Sequence, residues 1–324
     1  MLSKILCTVW LFVLFLCPAF TQAAELTALE PLITRSTRLI VFSPHPDDET
    51  LGAGGLIQRV LEAGGRVKVV FMTNGDGYPE GVELQDHTTH PTALDFTRYG
   101  QIRRLEALSA LTTLGMKTKN VIFLGFPDGG LPSLRSKSWA HHVPYRSPFT
   151  RKCRPPWFET VIPRADFCAK DLTDEIERVI VRFKPTLLAT TGPEDQHPDH
   201  KFTYYFVEQA LDRLTMKSAY LRPEVITFVI HYNGWPVNQE ARSGARLPPP
   251  EGFPVRGRKW ISFDLKPWEV SVKRKAILKY RSQMVMLSRF LLCFDKSDEL
   301  FRQDPGHGAA LGCLQLSKQS ANAK

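Results

Sequence analysis

Short apolar runs, each followed by an amphipathic or glycine-bounded stretch, form the dominant pattern of this chain after residue 37. The clearest runs have the length of buried strands and cover residues 38–42, 67–73, 121–125 and 186–191. Later strands are expected at residues 225–232 and 260–265. Strands that alternate with helices at this spacing predict βαβ units with right-handed crossovers, and therefore a parallel sheet.

The stretches between the runs are mostly typical of helices. Gly64 and Gly115 follow two of them as C-cap signals. Further helices are expected at 171–183, after His200 through Leu214, and as one long basic helix at 268–288. Residues 78–97 have no period and predict a loop. We therefore predict an α/β fold: a Rossmann-like, mostly parallel sheet with helices on both faces and an active site at the strand C-terminal ends.

One domain over residues 24–316 accounts for this pattern better than two. Residues 131–170 interrupt it, since they are rich in Pro, Arg, Ser, Trp and His and show little periodicity. A long irregular segment in a compact domain is usually functional or disordered. We interpret this one as an insertion that forms a lid or faces the substrate, and we expect residues 317–324 to be a disordered tail.

The amino-terminal segment predicts export. A basic start is followed by an apolar run at 5–16, and Thr21-Gln22-Ala23 offers small residues at a cleavage site. This pattern predicts a signal peptide over residues 1–23 and a periplasmic or secreted protein. The alternative is a retained membrane anchor, which the short apolar run disfavours because a spanning helix needs about 20 residues.

Four of the six cysteines remain after the predicted cleavage, and an even number in an exported chain indicates two disulfides. Three pairings are possible. We favour the two that close local segments, Cys153–Cys168 and Cys293–Cys313.

The composition, with 43% hydrophobic and 23% charged residues, fits an ordinary globular protein. The net charge of +9 favours an anionic partner, such as an acidic glycan, a glycolipid or a membrane surface, although the same charge also serves solubility. Export and the lack of a basic-aromatic module argue against nucleic acid.

Two strand-to-helix turns carry the candidate chemistry. The first contains His45, Asp47 and Asp48, and the second contains His197, Asp199 and His200. Because both follow strands of one parallel sheet, their side chains can converge. Two histidines and one carboxylate with an open coordination position form the ligand set of hydrolytic zinc sites.

These motifs, His-Pro-Asp-Asp-Glu and His-Pro-Asp-His, resemble the PIG-L/LmbE-like family of zinc-dependent N-deacetylases. The likeness extends to the Arg103-Arg104-Leu105-Glu106 helix, to Phe126-Pro127-Asp128-Gly129 and to the segment from Lys273 to Gln283. It implies hydrolysis of N-acetyl groups on amino-sugar glycans or conjugates.

Carried over by position, the resemblance implies a role for each matching residue. His45, Asp48 and His200 would bind Zn²⁺, although such a ligand set accepts other divalent ions. Asp47 would be the general base, and His197 would polarise the carbonyl or protonate the leaving amine. The remaining assignments are Arg103 and Asp128 for substrate binding, and Asp199 and Glu49 as supporting residues.

Two alternatives stay open at this point. One is a zinc amidase that acts on a non-sugar N-acyl compound. The other is a glycan-binding relative without turnover, which the presence of Asp47 disfavours because such a relative would be expected to lose its base first.

Overall fold

The computed structural model describes residues 28–137, 143–156, 158–159, 161–217, 220–237, 243–254 and 259–304. The predicted signal peptide, the predicted tail and Cys313 lie outside these residues. Among the described helices, none combines the length and the apolar character that a membrane span requires.

A seven-stranded sheet organises the chain. It is mostly parallel, as the sequence predicts, and it contains one strand more than the six that the apolar runs indicate. Its strands lie in the order β3-β2-β1-β4-β5-β7-β6, and the first five of these are parallel. β7 pairs antiparallel with both of its neighbours. The bounds are β1 Arg38–Ser43, β2 Arg66–Thr73, β3 Val121–Phe126, β4 Leu187–Thr191, β5 Glu224–Phe228, β6 Ile261–Asp264 and β7 Asp298–Gln303.

Helices cover both faces of the sheet, which confirms the predicted architecture. Their bounds are α1 Asp48–Glu62, α2 Pro79–Asp86, α3 Ala93–Thr113, α4 Leu131–Lys137, α5 Ala169–Phe183, α6 Pro198–Lys217, α7 Pro267–Ile277 and α8 Arg281–Leu292. Alternate residues of β1 face opposite ways: Leu39 and Val41 pack with α1, α3 and α7, whereas Ile40 and Phe42 pack with α4, α5 and α6. Burial on both faces explains why the strands are continuously apolar.

The chain departs from the predicted elements in three places. Residues 78–97 are not one loop, because Pro79 begins α2 and a capping box between Thr92 and Asp95 begins α3. The expected long helix at 268–288 is two helices, α7 and α8. The strand β7, which lies between β5 and β6, was missed because its polar sequence lacks a strand period.

Helix α1 is kinked at Ala53, where φ is −143° and ψ is 15°. The backbone N–H groups of Gly55 and Leu56 donate to the carboxylate of Glu299 at 2.7 and 3.0 Å. The ammonium of Lys273 pairs with Glu299 at 2.7 Å and also donates to a carbonyl on the other side of the kink. A buried ion pair from the C-terminal region therefore satisfies the backbone groups that the kink leaves free.

The predicted Cys153–Cys168 disulfide is absent, since both residues are free thiols. The backbone N–H of Phe167 donates to the carbonyl of Cys153 at 2.8 Å, so these two segments are joined without a covalent bond. Cys293 is also free and its thiol donates to a backbone carbonyl, while its predicted partner lies outside the described residues.

Candidate active site

The two predicted turns meet at one edge of the sheet. Each follows a strand, and these strands, β1 and β4, are direct parallel neighbours, with Phe42 opposite Thr190. From β1 the chain continues to β2 on one side of the sheet, and from β4 it continues to β5 on the other side. The strand order therefore reverses between β1 and β4. Ligands of open α/β sheets bind at such points.

Three side chains form a tight triangle there. Nδ1 of His45 lies 3.2 Å from Oδ2 of Asp48, and Nε2 of His200 lies 3.2 Å from the same oxygen. The two histidine nitrogens are 3.3 Å apart. Ligands at about 2.0–2.1 Å from a tetrahedral zinc ion lie about 3.3 Å from each other. The three predicted metal ligands therefore have the spacing that such an ion requires.

Carboxylates hold the other nitrogen of both histidines. Nε2 of His45 lies 3.1 Å from Asp128 and 3.3 Å from Asp199, while Nδ1 of His200 lies 3.2 Å from Asp195. Carboxylates in this position fix the ring orientation of metal-binding histidines. Asp199, predicted as a supporting residue, thus contacts His45, and Asp128 contacts the same nitrogen while also lining the pocket.

The charge of this cluster favours a cation. Asp48, Asp128, Asp195 and Asp199 are all buried around the two histidines. Burial alone would lower the pKa of His200, but the carboxylates of Asp48 and Asp195 outweigh it and raise the pKa to about 10. Such an excess of buried negative charge is stabilised by a divalent ion.

Asp47 has the environment of a general base. Burial raises the pKa of its carboxyl to about 7, although the guanidinium of Arg103 acts in the opposite direction. A base with a pKa near the working pH accepts protons most effectively. Arg103 is itself buried and donates to Asp47 at 3.1 Å, to the carbonyl of Pro46 at 2.7 Å and to the carbonyl of Gly75 at 3.0 Å. Arg103 also lines the pocket, a position that is compatible with substrate binding. Its role there stays a prediction.

The backbone of Asp47 is strained, and Glu49 stabilises it. Asp47 has φ 128° and ψ −38°, which L-residues rarely adopt and which costs of order 1–3 kcal/mol. The carboxylate of Glu49 accepts the N–H of Asp47 at 3.1 Å and also accepts the hydroxyls of Thr50 and Tyr280. The contact between Glu49 and the backbone of Asp47 is consistent with the supporting role predicted for Glu49.

His197 lies beside the triangle, and its ring centroid is 4.8 Å from that of His45 and 4.7 Å from that of His200. Its Nδ1 accepts the backbone N–H of Asp199 at 3.2 Å, which leaves the proton on Nε2. Burial, together with the neighbouring histidines, lowers its pKa to about 3. His197 is therefore a neutral hydrogen-bond donor.

Sequence reasoning missed two residues of this site. Asp195 accepts the backbone N–H groups of His197, Ile230 and His231 at 2.8–3.1 Å as well as the ring of His200. His231 follows β5, and its ring centroid lies 5.0 Å from that of His200. An acidic residue two positions before the second motif could have pointed to Asp195, but His231 lay within a run predicted as a strand.

The site opens to a pocket of about 250 Å³. Its lining includes His45, Asp47, Asp48, Arg103, Asp128, His197 and His231, together with residues of α8. The charged lining residues include Asp47, Asp48 and Arg103, whereas α8 contributes the apolar side chains of Leu287, Phe290 and Leu291. The pocket can therefore hold a ligand that has a polar reacting group and an apolar or ring-shaped part.

Comparison with known proteins identifies the family. Residues 40–211, more than half of the chain, match the sequence profile described as PIG-L, GlcNAc-PI de-N-acetylase. This chain belongs to that family. The matched segment contains both turns, Arg103 and Asp128.

Curated relatives match over part of their length. The chain is 30% identical over 179 residues to 1D-myo-inositol 2-acetamido-2-deoxy-alpha-D-glucopyranoside deacetylase of Rhodococcus opacus, covering 54% of this chain and 53% of the relative. A protein of the same name from Mycobacterium sp. (strain KMS) is 27% identical over 181 residues, covering 54% and 50%. The chain thus spans about half the length of these relatives.

Solved structures share the fold over a longer stretch. The A40926 pseudoaglycone deacetylase has a TM-score of 0.53 at 17% identity, covering 82% of this chain and 96% of that one. The N,N'-diacetylchitobiose deacetylase from Pyrococcus horikoshii has a TM-score of 0.51 at 18% identity, covering 86% and 89%. At these sequence identities the likeness shows that this chain has the same mixed α/β fold as those proteins, and it shows only the fold.

Proposed function

We propose that this protein is a metal-dependent N-deacetylase that hydrolyses the acetamide of an amino-sugar glycan or conjugate, with Zn²⁺ as the metal. The observation that carries the proposal is the triangle of His45, Asp48 and His200, whose three donor atoms lie 3.2–3.3 Å apart beside a carboxyl with a pKa of about 7. When bound, the ion supplies Lewis-acid activation of water and polarisation of the amide carbonyl.

Asp47 is assigned the proton transfers. Its carboxylate accepts a proton from the attacking water as the new carbon–oxygen bond forms. The same proton then passes to the nitrogen of the leaving amine as the carbon–nitrogen bond breaks, so the carboxylate is regenerated. A pKa of about 7 suits both directions of transfer.

His197 is assigned to the carbonyl oxygen. The sequence left two roles open for His197, polarisation of the carbonyl and protonation of the leaving amine. A neutral His197 with its proton on Nε2 supports the first, because it can donate a hydrogen bond to the developing oxyanion. The relatives from Rhodococcus opacus and Mycobacterium are named as deacetylases of an acetamido-glucopyranoside, which supports an amino-sugar substrate. Export through residues 1–23 remains part of this proposal.

The test combines metal analysis with acetate release. His45→Ala and Asp48→Ala should each lose bound zinc and activity, whereas Asp47→Asn should keep the metal and lose about 10²–10⁴-fold in rate. Asp86→Asn, on the surface helix α2, is the control that should change neither quantity. Unchanged turnover in Asp48→Ala would refute the proposal.

The substrate panel should contain acetylated amino-sugar glycosides, acylated amines and an acylated peptide. Release of acetate only from the non-sugar compounds would replace the amino-sugar assignment with a general amidase. Glycan binding by the metal-loaded protein without any acetate release would indicate a binding protein instead.

A further inference from the structure

A further histidine, His231, lies beside the triangle of proposed metal ligands and is held on three sides. Its backbone N–H donates to Asp195 at 3.1 Å, and its backbone carbonyl accepts the N–H of Gln196 at 2.9 Å. Its ring stacks on that of Phe290, with centroids 5.0 Å apart and planes 4° from parallel. The turn that carries the ligand His200 and the helix α8 therefore fix this ring together.

The ring nitrogens of His231 differ from those of the other histidines in the site. Both ring nitrogens of His45 and of His200 lie 3.1–3.2 Å from carboxylate oxygens, and Nδ1 of His197 accepts the N–H of Asp199. Neither ring nitrogen of His231 has a hydrogen-bond partner within the part of the chain that the structure describes. The ring is partly exposed and lines the catalytic pocket, so its nitrogens are available to a ligand there.

His231 is also within reach of the metal position. One of its ring nitrogens lies within 4.8 Å of the donor atoms of both Asp48 and His200. The fourth ligand of a tetrahedral zinc ion lies about 3.3 Å from each of the other three. A side-chain movement that brings the nitrogen closer to those two atoms by roughly 1.5 Å or less gives it that spacing.

The state of the ring nitrogens favours His231 over His197 as a fourth ligand. A ring nitrogen of His197 also lies within 4.8 Å of those of His45 and His200. However, the lone pair on Nδ1 of His197 is taken by the N–H of Asp199, and its Nε2 carries the proton. His231 has no such contact, and a neutral imidazole with a free lone pair is a common metal ligand.

We propose that His231 is a fourth protein ligand of the metal ion, which closes its coordination on the pocket side when no substrate is bound and which the substrate displaces. The proposal rests on the proposed function, because it adds a ligand to the metal of that same site. Four protein ligands are typical of structural zinc sites, whereas catalytic sites have three and one open position. His231 thus holds the ion more tightly at rest and competes with the substrate.

The first measurement counts the ligands directly. X-ray absorption at the zinc edge should show three coordinated imidazoles in the substrate-free wild-type protein and two in His231→Ala. The backbone contacts of residue 231 are kept in this variant, because they use main-chain atoms only. His231→Gln is a second variant with a polar side chain of similar length, and it should also show two imidazoles.

The second measurement uses the competition with the substrate. Only the open form binds substrate, so the fraction of enzyme that is closed weakens the apparent substrate affinity. Loss of the imidazole should therefore weaken zinc binding and lower KM by one common factor, about tenfold, while kcat at saturating zinc stays unchanged. A residue with a purely structural or catalytic role would lower kcat instead.

Two further variants test the position of the ring. Phe290→Leu removes the stacking partner and should shift the zinc affinity and KM in the same directions by a smaller factor. His90→Ala removes an exposed histidine beside α2 and should change neither quantity. Chelator competition measures the zinc affinity in each protein.

Two imidazoles in the wild-type protein, or wild-type zinc affinity in His231→Ala, would overturn the proposal. A lower kcat at unchanged zinc affinity would also overturn it and would assign His231 to the substrate. These outcomes are distinguishable from failure of the proposed function. Two imidazoles with full acetate release would refute the fourth ligand alone, whereas three imidazoles without acetate release from any substrate would support the fourth ligand and refute the deacetylase.

Discussion

The two turns of the site carry similar residues but are held in different ways. The first turn, after β1, depends on side chains from distant elements: Arg103 of α3 contacts Asp47, and Tyr280, just before α8, contacts Glu49. The second turn, after β4, is held by its own carboxylate, Asp195, which accepts hydrogen bonds from the turn and from the end of β5.

The difference follows from backbone conformation. Asp47 has a strained φ of 128°, and a strained residue persists only where the surrounding structure holds it. The second turn has no residue with positive φ between 192 and 200, so one local carboxylate suffices. We infer that damage to the supports of the first turn affects the base and the fold, whereas damage to Asp195 affects the metal ligand His200.

The largest expected effect is that of Arg103→Ala. It leaves the buried carboxylate of Asp47 without its cation, and breaking a buried pair in this way costs about 3–5 kcal/mol. Urea unfolding measures the loss. Arg98→Ala removes an exposed arginine from the same helix and should cost less than about 1 kcal/mol. Similar losses in both variants would contradict the external support of the first turn.

Asp195→Asn should weaken the metal site without removing a ligand. An amide in place of the carboxylate no longer fixes the ring of His200, and loss of such a partner costs about 10–100-fold in metal affinity or activity. Competition with a chelator measures the affinity, with Asp86→Asn as the control. Wild-type affinity combined with reduced kcat would assign Asp195 to the chemistry instead.

Tyr280→Phe should affect the first turn alone. It removes a hydroxyl that donates to the carboxylate of Glu49, at a cost of about 1.5 kcal/mol in the free energy of unfolding. Because Glu49 holds the base and no ligand, kcat should fall while the affinity for zinc stays at its wild-type value. A loss of zinc affinity would show that the two turns are not independently supported.

The smallest effect is a pH dependence that involves Glu175. Like Asp195, this buried carboxylate ties a loop, since it accepts the N–H groups of Val161 and Ile162 at 2.9 Å. Burial raises the pKa of Glu175 to about 7, because its effect outweighs that of those hydrogen bonds. For Asp195 the balance is reversed. Burial would raise the pKa of Asp195, but the neighbouring His200 outweighs burial and the pKa is lowered.

A raised pKa means that folding favours the protonated form of Glu175. Its contribution to stability is complete below the ordinary pKa of about 4.3 and is lost as the pH rises through about 7. Melting temperatures at pH 5 and pH 8 should therefore differ less in Glu175→Gln than in the wild-type protein. Glu80→Gln, at an exposed site, should keep the wild-type difference, and an unchanged difference in Glu175→Gln would disprove the assignment.

The sequence was most informative where strong local patterns coincide with topology. The apolar runs before His45 and His197 predict strands, and the crossover rule places both strands in one sheet, so the convergence of the two turns follows. The residues that support the turns were harder to predict from the sequence. His231 lies in an apolar run and is indistinguishable there from a strand residue.

Long-range pairs escaped prediction for a physical reason. Glu299 and Lys273 are separated from the kink in α1 by more than 200 residues, and no periodicity records such a contact. The break between α7 and α8 also has no Gly or Pro to mark it. The missing Cys153–Cys168 bond shows a further limit, since counting cysteines cannot tell a disulfide from two neighbouring thiols.

The kink at Ala53 has a consequence for how the protein is made. Every residue of the proposed catalytic centre has been synthesised by position 231, yet the helix that begins with Asp48 receives its carboxylate from Glu299 and its ammonium from Lys273. On the ribosome, a nascent chain that already carries the base and all three ligands still lacks the groups that complete α1. The catalytic centre can reach its final form only after the last strand has been translated.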